Sequence, residues 1–195
     1  MTELDLDRRP TRRQEIVAAA HAIASEAGWQ AVSVRRVAAR VGCSAAALYQ
    51  YLPDKDAILR SIASDGENRL AATLRAAVAE PGRSRRLRAV ARAYLTFALD
   101  NPELYRVMHG LDGVPRLGRA LTDGPAGTIL RTVAAAMVEK HHLTEMAEDV
   151  AERLLALLHG HATLALTSCA ADRERKLHLL ATTVDEVLRG MARRP

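Results

Sequence analysis

The sequence predicts an all-α protein, and three observations carry that prediction. Ala, Leu and Arg, all good helix formers, dominate the 195 residues, while aromatic residues make up only 3% and alternating β-branched runs are absent. Apolar residues recur at the three- and four-residue spacing of a helix face through most of the chain. Start and stop signals divide that pattern into about nine helices. With 49% hydrophobic residues the chain can bury a core.

The first helix begins near Thr11, because Thr11 and Gln14 have the spacing of a capping box. Ile16, Val17, Ala20, Ile23, Ala24 and Ala27 form its inward stripe, and Gly28 closes it. The second is expected over 33–41, with Val34, Val37, Ala38 and Val41 on one face. Gly42 ends it, since glycine reaches the left-handed conformation that a helix C-terminus often needs. Ser44 caps a third helix over 45–51, whose apolar side is Ala47, Leu48, Tyr51 and Leu52. Pro53 stops it, and Asp54 caps a long fourth helix that reaches about Ala79, before Pro81-Gly82.

A fifth helix is expected over 84–99, with Leu87, Val90, Ala91, Tyr94 and Ala98 on one face. Asn101-Pro102 restarts the chain into a sixth over 102–109. The Gly/Pro-rich segment from Gly110 to Gly127 reads as a loop with a helical turn near 116–121. The last three helices are expected over 128–142, 144–168 and 172–192. The eighth presents Val150, Leu154, Leu157, Leu158, His161 and Leu164 on one broad face; the ninth presents Leu177, Leu180, Val184, Val187, Leu188 and Met191. Two such faces, paired with those of a second copy, would make a four-helix interface with twofold symmetry. The expected dimer residues are Leu154, Leu158, His161, Val184, Val187 and Leu188.

Two short helices joined by a Gly-containing turn form a helix-turn-helix unit, whose second helix enters the DNA major groove. The charge agrees with this. Residues 8–60 hold nine Lys/Arg against four acids, a net +5, which equals the net charge of the whole chain. Phosphate neutralisation would use that excess. Within Ser33–Lys55, Val37-Ala38 through Gly42, then Ser44, Leu48-Tyr49, Tyr51-Leu52-Pro53 and Asp54-Lys55 closely resemble the DNA-binding signature of TetR-type transcriptional regulators. Gly28-Trp29 also fits, and the resemblance is strongest over residues 9–70. It implies a helix-turn-helix DNA-binding domain over 9–70 and a ligand-binding and dimerisation domain over 71–195. The second part resembles the WHG type of regulatory domain at Tyr94, Phe97-Ala98, Asn101-Pro102, Leu104-Tyr105 and His159-Gly160. Leu155 stands where that type carries a tryptophan.

On double-stranded DNA, Tyr49 is expected to face a phosphate, with Tyr51 either doing the same or packing inward. Lys55 would meet a phosphate, as its counterpart does in the family the chain resembles. Ser33 and Ser44 are helix caps that can also set helix N-termini against phosphates. Ala45, Ala46, Ala47 and Gln50 occupy the positions expected to face base edges. Gln50 can pair bidentately with adenine, whereas alanine offers only a methyl contact to thymine. Readout would then lean on Gln50, Arg35, Arg36 and DNA shape. Arg8, Arg9, Arg12 and Arg13 are candidates for a basic arm.

An effector pocket is expected from Tyr94, Phe97, Tyr105, Met108, His109, Met137, Leu155 and His159. No metal or cofactor is expected. His141-His142 are adjacent, and His159 and His161 diverge by about 200° on a helix, unlike the i, i+4 pair of a helical zinc site. Cys43 and Cys169 form no CxxC. No Ser-His-Asp order or Gly-rich phosphate loop points to an enzyme. No long charge-free apolar run predicts a membrane span, and no apolar leader is visible, so a cytoplasmic protein is expected. The sequence thus points to a dimeric repressor released from a palindromic operator by a small molecule. The alternative is an effector-independent helix-turn-helix DNA-binding protein.

Overall fold

The computed structural model describes residues 11–111, 123–168 and 172–192. Arg8, Arg9, the turn expected near 116–121 and Cys169 lie outside them. The described residues form nine α-helices, one 3-10 turn and no strand. The helices are α1 (Arg12–Ala27), α2 (Val34–Val41), α3 (Ala45–Tyr49), α4 (Lys55–Val78) and α5 (Arg83–Asp100). They continue with α6 (Pro102–His109), α7 (Pro125–His141), α8 (Ala147–Thr167) and α9 (Arg173–Ala192), and the 3-10 turn is Trp29–Ala31.

The chain divides into two compact units. The first holds α1–α3, α4 as far as Asp65, and α6 from Glu103. Its core is the inward stripe of α1, Ile16, Ala20 and Ile23, packed with Val37 and Ala38 of α2, Leu48 of α3, and Ile58 and Ile62 of α4, all buried. The capping box forms as the spacing predicts. Thr11 N–H donates to Gln14 Oε1 at 2.7 Å, and Gln14 N–H donates back to Thr11 Oγ1 at 3.4 Å. Trp29, buried in the 3-10 turn, donates its indole N–H to the Glu103 carbonyl at 2.6 Å. That bond ties α6 into this unit across 74 positions of sequence.

The second unit holds α4 from Gly66, α5 and α7–α9. Helix α5 is its centre, packing on α7, α8 and α9, while α7 also packs on α8. Leu87, Val90, Ala91, Tyr94, Leu95, Phe97 and Ala98 are all buried, a wider apolar surface than one stripe, as a helix touched from several sides needs. Arg83–Glu139 (2.7 Å) joins α5 to α7; Arg88–Asp185 (2.6 Å) and Arg173–Asp100 (2.5 Å) join α5 to α9. These pairs are solvent-exposed, so they set register more than they stabilise.

Helix α7 starts at Pro125, three residues before the sequence pattern places it. Pro125 takes the first helical position, where its missing N–H is no loss. Gly124 has no side chain to cap the helix, and the Glu67 carboxylate from α4 accepts the Ala126 N–H instead. At the other end His142 adopts a left-handed φ of 49°, and Leu143 N–H returns to the Val138 carbonyl at 3.1 Å.

The residues expected at a dimer face differ in their exposure within the single chain. Leu158, Val184 and Leu188 are buried within the single chain, packed by their own helices. Periodicity marks an apolar face but not which neighbour covers it. Leu154, His161 and Val187 stay partly exposed. The large apolar side chains that reach solvent on these helices are Leu164, 68% exposed, and Leu179, 49% exposed.

Candidate nucleic-acid interface

The helix-turn-helix is built by local signals. Ser33 caps α2, its Oγ accepting the Arg36 N–H at 3.3 Å. At the other end Gly42 is left-handed (φ 73°, ψ 38°). Cys43 N–H bonds the Ala38 carbonyl at 3.0 Å and Gly42 N–H bonds the Ala39 carbonyl at 3.3 Å, the paired closure of a Schellman turn. Ser44 caps α3, accepting the Ala47 N–H at 3.1 Å. Leu48 and Leu52 are buried and hold α3 against the first unit's core. Asp54 caps α4 by accepting the Ala57 N–H at 2.5 Å.

Helix α3 ends at Tyr49, two residues short of the expected end at 51. Pro53 forces Leu52 out of helical angles, and the chain turns tightly beforehand, with Tyr51 and Leu52 N–H both reaching the Leu48 carbonyl at 3.0 Å. Gln50 is therefore the C-cap and Tyr51 follows the helix. Both tyrosines reach solvent, Tyr49 at 50% and Tyr51 at 49% exposure. Ala46 and Gln50 are exposed, while Ala45 and Ala47 are half-buried.

Ion pairing sorts the basic residues of the first unit. Arg40 grips Glu26 through both forks, Nη1 to Oε2 at 2.8 Å and Nη2 to Oε1 at 2.7 Å. The bond holds the Glu26 carboxyl below its ordinary range. Arg12 pairs with Glu15 at 2.8 Å and lies against Cys43, raising its own pKa chiefly through Glu15. Arg60 pairs with Asp54 at 3.6 Å, and Arg13 donates to Ser61 Oγ at 3.0 Å. Arg35, Arg36 and Lys55 make no ion pair among the described residues. Arg35 and Arg36 are exposed on α2, Lys55 is half-buried at the start of α4, and α2 packs on α3. Among the described basic residues of the segment, Arg13 likewise has no ion pair, and Arg36 lies near enough to Glu26 to help lower its carboxyl. Cations not held in ion pairs can serve phosphates. The Arg40–Glu26 pair has no local sequence signal, because its partners lie on different helices.

The residues expected to form an effector pocket do not share one unit. Tyr105, Met108 and His109 belong to the first; Tyr94, Phe97, Met137, Leu155 and His159 belong to the second. In the first, the Tyr105 and His109 rings stack at 4.1 Å, tilted by 52°. In the second, a cavity of about 350 Å³ opens among α5, α7, α8 and α9, and Met137 is the expected residue that lines it. Among the described residues there is no group of His, Cys, Asp or Glu arranged to hold a metal ion. No described helix is long and apolar enough to cross a membrane.

A capped helix-turn-helix bearing cations without ion-pair partners, on a chain that is otherwise helical, defines a DNA-binding transcriptional regulator. Residues 16–62 match the model of bacterial regulatory proteins of the tetR family, and residues 87–187 match the tetracyclin repressor-like C-terminal domain. The chain belongs to the TetR family. Regulators of this family bind double-stranded DNA and act as dimers. The nucleoid occlusion factor SlmA of Pasteurella multocida is 32% identical over 100 residues, 51% of this chain and 50% of that protein. The chain thus spans about half the length of the curated relatives it matches. A solved structure of a protein of unknown function from Rhodococcus sp. RHA1 superposes with a TM-score of 0.76 at 26% identity, covering 95% of this chain and 98% of that one. The TetR family regulator PfmR of Thermus thermophilus shares the fold, with a TM-score of 0.64 at 23% identity over 89% of this chain and 97% of its own.

Proposed function

We propose that this protein is a dimeric repressor released from a palindromic operator by a small molecule. The observation that carries the DNA half is that Arg35, Arg36 and Lys55, which make no ion pair among the described residues, accompany the exposed Tyr49, Gln50 and Tyr51. Residues 9–70 supply the DNA-binding domain and 71–195 the ligand-binding and dimerisation domain. Tyr49, Tyr51 and Lys55 hold phosphates, with Arg12 and the Ser33-capped start of α2 adding to the grip. Gln50, Arg35 and Arg36 read bases, and Ala45, Ala46 and Ala47 admit the groove closely without adding hydrogen bonds.

His161, joined by the exposed Leu164 and Leu179, makes the centre of the dimer face, with Leu154 and Val187 lying at its edge where they also line the cavity of the second unit. Burial holds the His161 imidazole below its ordinary pKa, which suits a group entering an apolar interface uncharged. Two heads then meet two half-sites. An effector acts by its different affinity for the two head spacings. The protein acts by binding, without catalysis, and works in the cytoplasm.

Footprinting on DNA from beside its own gene tests the reading. A protected inverted repeat, bound with steep salt dependence by a dimer, is expected; binding without salt dependence, or by a monomer, refutes it. A second reading draws on the curated relatives, which are nucleoid occlusion factors. In it the head marks DNA sites with no effector. Operator binding that no metabolite of the neighbouring genes alters would favour that reading.

A further inference from the structure

The cavity in the second unit has an unusually uniform wall. Leu87, Met137, Leu143, Val150, Leu154 and Met191 are representative: aliphatic or thioether, with no aromatic ring and no hydroxyl or amide among the lining side chains. Such a wall offers a ligand no stacking platform and no internal hydrogen bond. Its charged lining residues are Glu145 and Arg153. Their pair is long, Nη2 to Oε1 at 3.7 Å, against the 2.7–2.9 Å typical of a charge-assisted hydrogen bond. Arg153 also donates through Nε to the Asp149 carbonyl at 3.2 Å, and its side chain is 58% exposed. The guanidinium is thus anchored by Nε, with its fork loosely engaged.

Val138, Leu143 and Met191, themselves partly buried, pack against the buried cluster of Ala134, Val150 and Ala151 beside the cavity. Gly190 lies at the solvent-exposed edge of the cavity, and a Cβ there would meet nothing within 4 Å. At about 350 Å³ the cavity falls in the size range of small-molecule sites.

We propose that this cavity binds an aliphatic monocarboxylate, its chain lying along the α8 and α9 walls and its carboxylate taken by the Arg153 fork. The assignment names the effector class for the release proposed above and rests on that reading. Arginine suits the role because its planar fork matches a carboxylate bidentately. The α5, α7, α8 and α9 side chains around it supply the apolar enclosure.

Titration calorimetry of the full chain with hexanoate, decanoate and myristate tests it, with decanol and decylamine as matched controls and operator binding read in parallel. Saturable binding of at least one carboxylate is expected. Arg153→Gln should weaken the carboxylate about tenfold or more while leaving decanol unchanged. Gly190→Leu sets a bulky side chain at the cavity edge, where a Cβ meets nothing within 4 Å, and should abolish binding, with helicity and dimer size retained. Three results overturn the site: no carboxylate binds, decylamine binds better than decanoate, or binding survives Gly190→Leu. Loss of the dimer on Gly190→Leu with no carboxylate bound to the wild type also overturns it, because a second copy then occupies the space. Decanoate bound here with operator affinity unchanged upholds the site and refutes the carboxylate as the releasing effector. Operator release by another class of molecule, with the carboxylates unbound, upholds release and refutes this site.

Discussion

Gly124 makes room for Glu67: a Cβ built at 124 would fall 2.7 Å from Glu67 Oε2, so the carboxylate would have to move. The glycine leaves room for a carboxylate from α4 to cap α7, which has no cap of its own. Gly124→Ala should displace that carboxylate and destabilise the protein by about 1 kcal/mol, the usual worth of an N-cap. In a Glu67→Ala background the same change should be nearly neutral. Urea denaturation of the four variants gives the coupling directly, and additive effects would show that the carboxylate does not cap the helix.

The same carboxylate sets a pH dependence. Burial lifts the Glu67 carboxyl above its ordinary 4.5, and the Ala126 N–H only partly opposes this. A group whose pKa rises on folding contributes stability that is full below its unfolded value and lost as pH climbs through the folded one. Glu67→Gln stays neutral, so it should flatten the stability curve just above pH 4.5. Denaturant midpoints measured across that range check the sign; a steeper curve in the variant would reverse the argument.

Glu26 behaves oppositely. Its carboxyl is lowered by the Arg40 hydrogen bonds, so whatever the pair contributes is present above the ordinary 4.5 and fades as pH falls through the folded value. A carbon-detected NMR titration of Glu26 should move back toward 4.5 in Arg40→Gln. An unmoved midpoint would mean that the bidentate contact does not persist in solution.

On DNA, Tyr49→Ala and Lys55→Ala should weaken binding across sequences rather than change which sequence is preferred. Lys55→Ala should also reduce the slope of log affinity against log salt by about one. Gln50→Ala should instead relax preference at one base pair, by about 1–3 kcal/mol of discrimination. Anisotropy titrations on matched and mismatched duplexes separate the two patterns. Unchanged affinity in both Tyr49→Ala and Lys55→Ala would refute this docking.

Gly42→Ala isolates a backbone effect. A Cβ there meets nothing within 4 Å, so only the left-handed φ of 73° opposes it. The expected loss is about 1 kcal/mol, and Gly42→Asn should lose less, because asparagine tolerates that region. Equal losses in the two variants would point to side-chain crowding instead.

The pattern of what could be read from sequence follows range along the chain. Thr11 with Gln14, Ser33, Gly42, Ser44 and Asp54 are signals confined to a single turn, and the helix boundaries around them emerge as read. Pro125 is also such a signal, but the glycines around it read as loop because the cap comes from Glu67 on another helix. Contacts between helices leave no periodic mark. The Trp29–Glu103 bond, the Arg40–Glu26 pair and the burial of Leu158, Val184 and Leu188 beneath their own chain belong to that class. The cavity does too, since a void is made by what several helices jointly fail to fill.

Trp29 carries one more consequence. It is the chain's single tryptophan, and it is buried in the first unit with its indole N–H bonded to the Glu103 carbonyl. Its emission is therefore a built-in optical probe of the DNA-reading unit, free of background from any other indole. Helicity followed by circular dichroism is weighted instead toward α5 and α7–α9. Melting both signals in one sample shows whether the two units unfold as one cooperative block or in succession. Adding operator DNA should then shift the tryptophan transition first if they are separable.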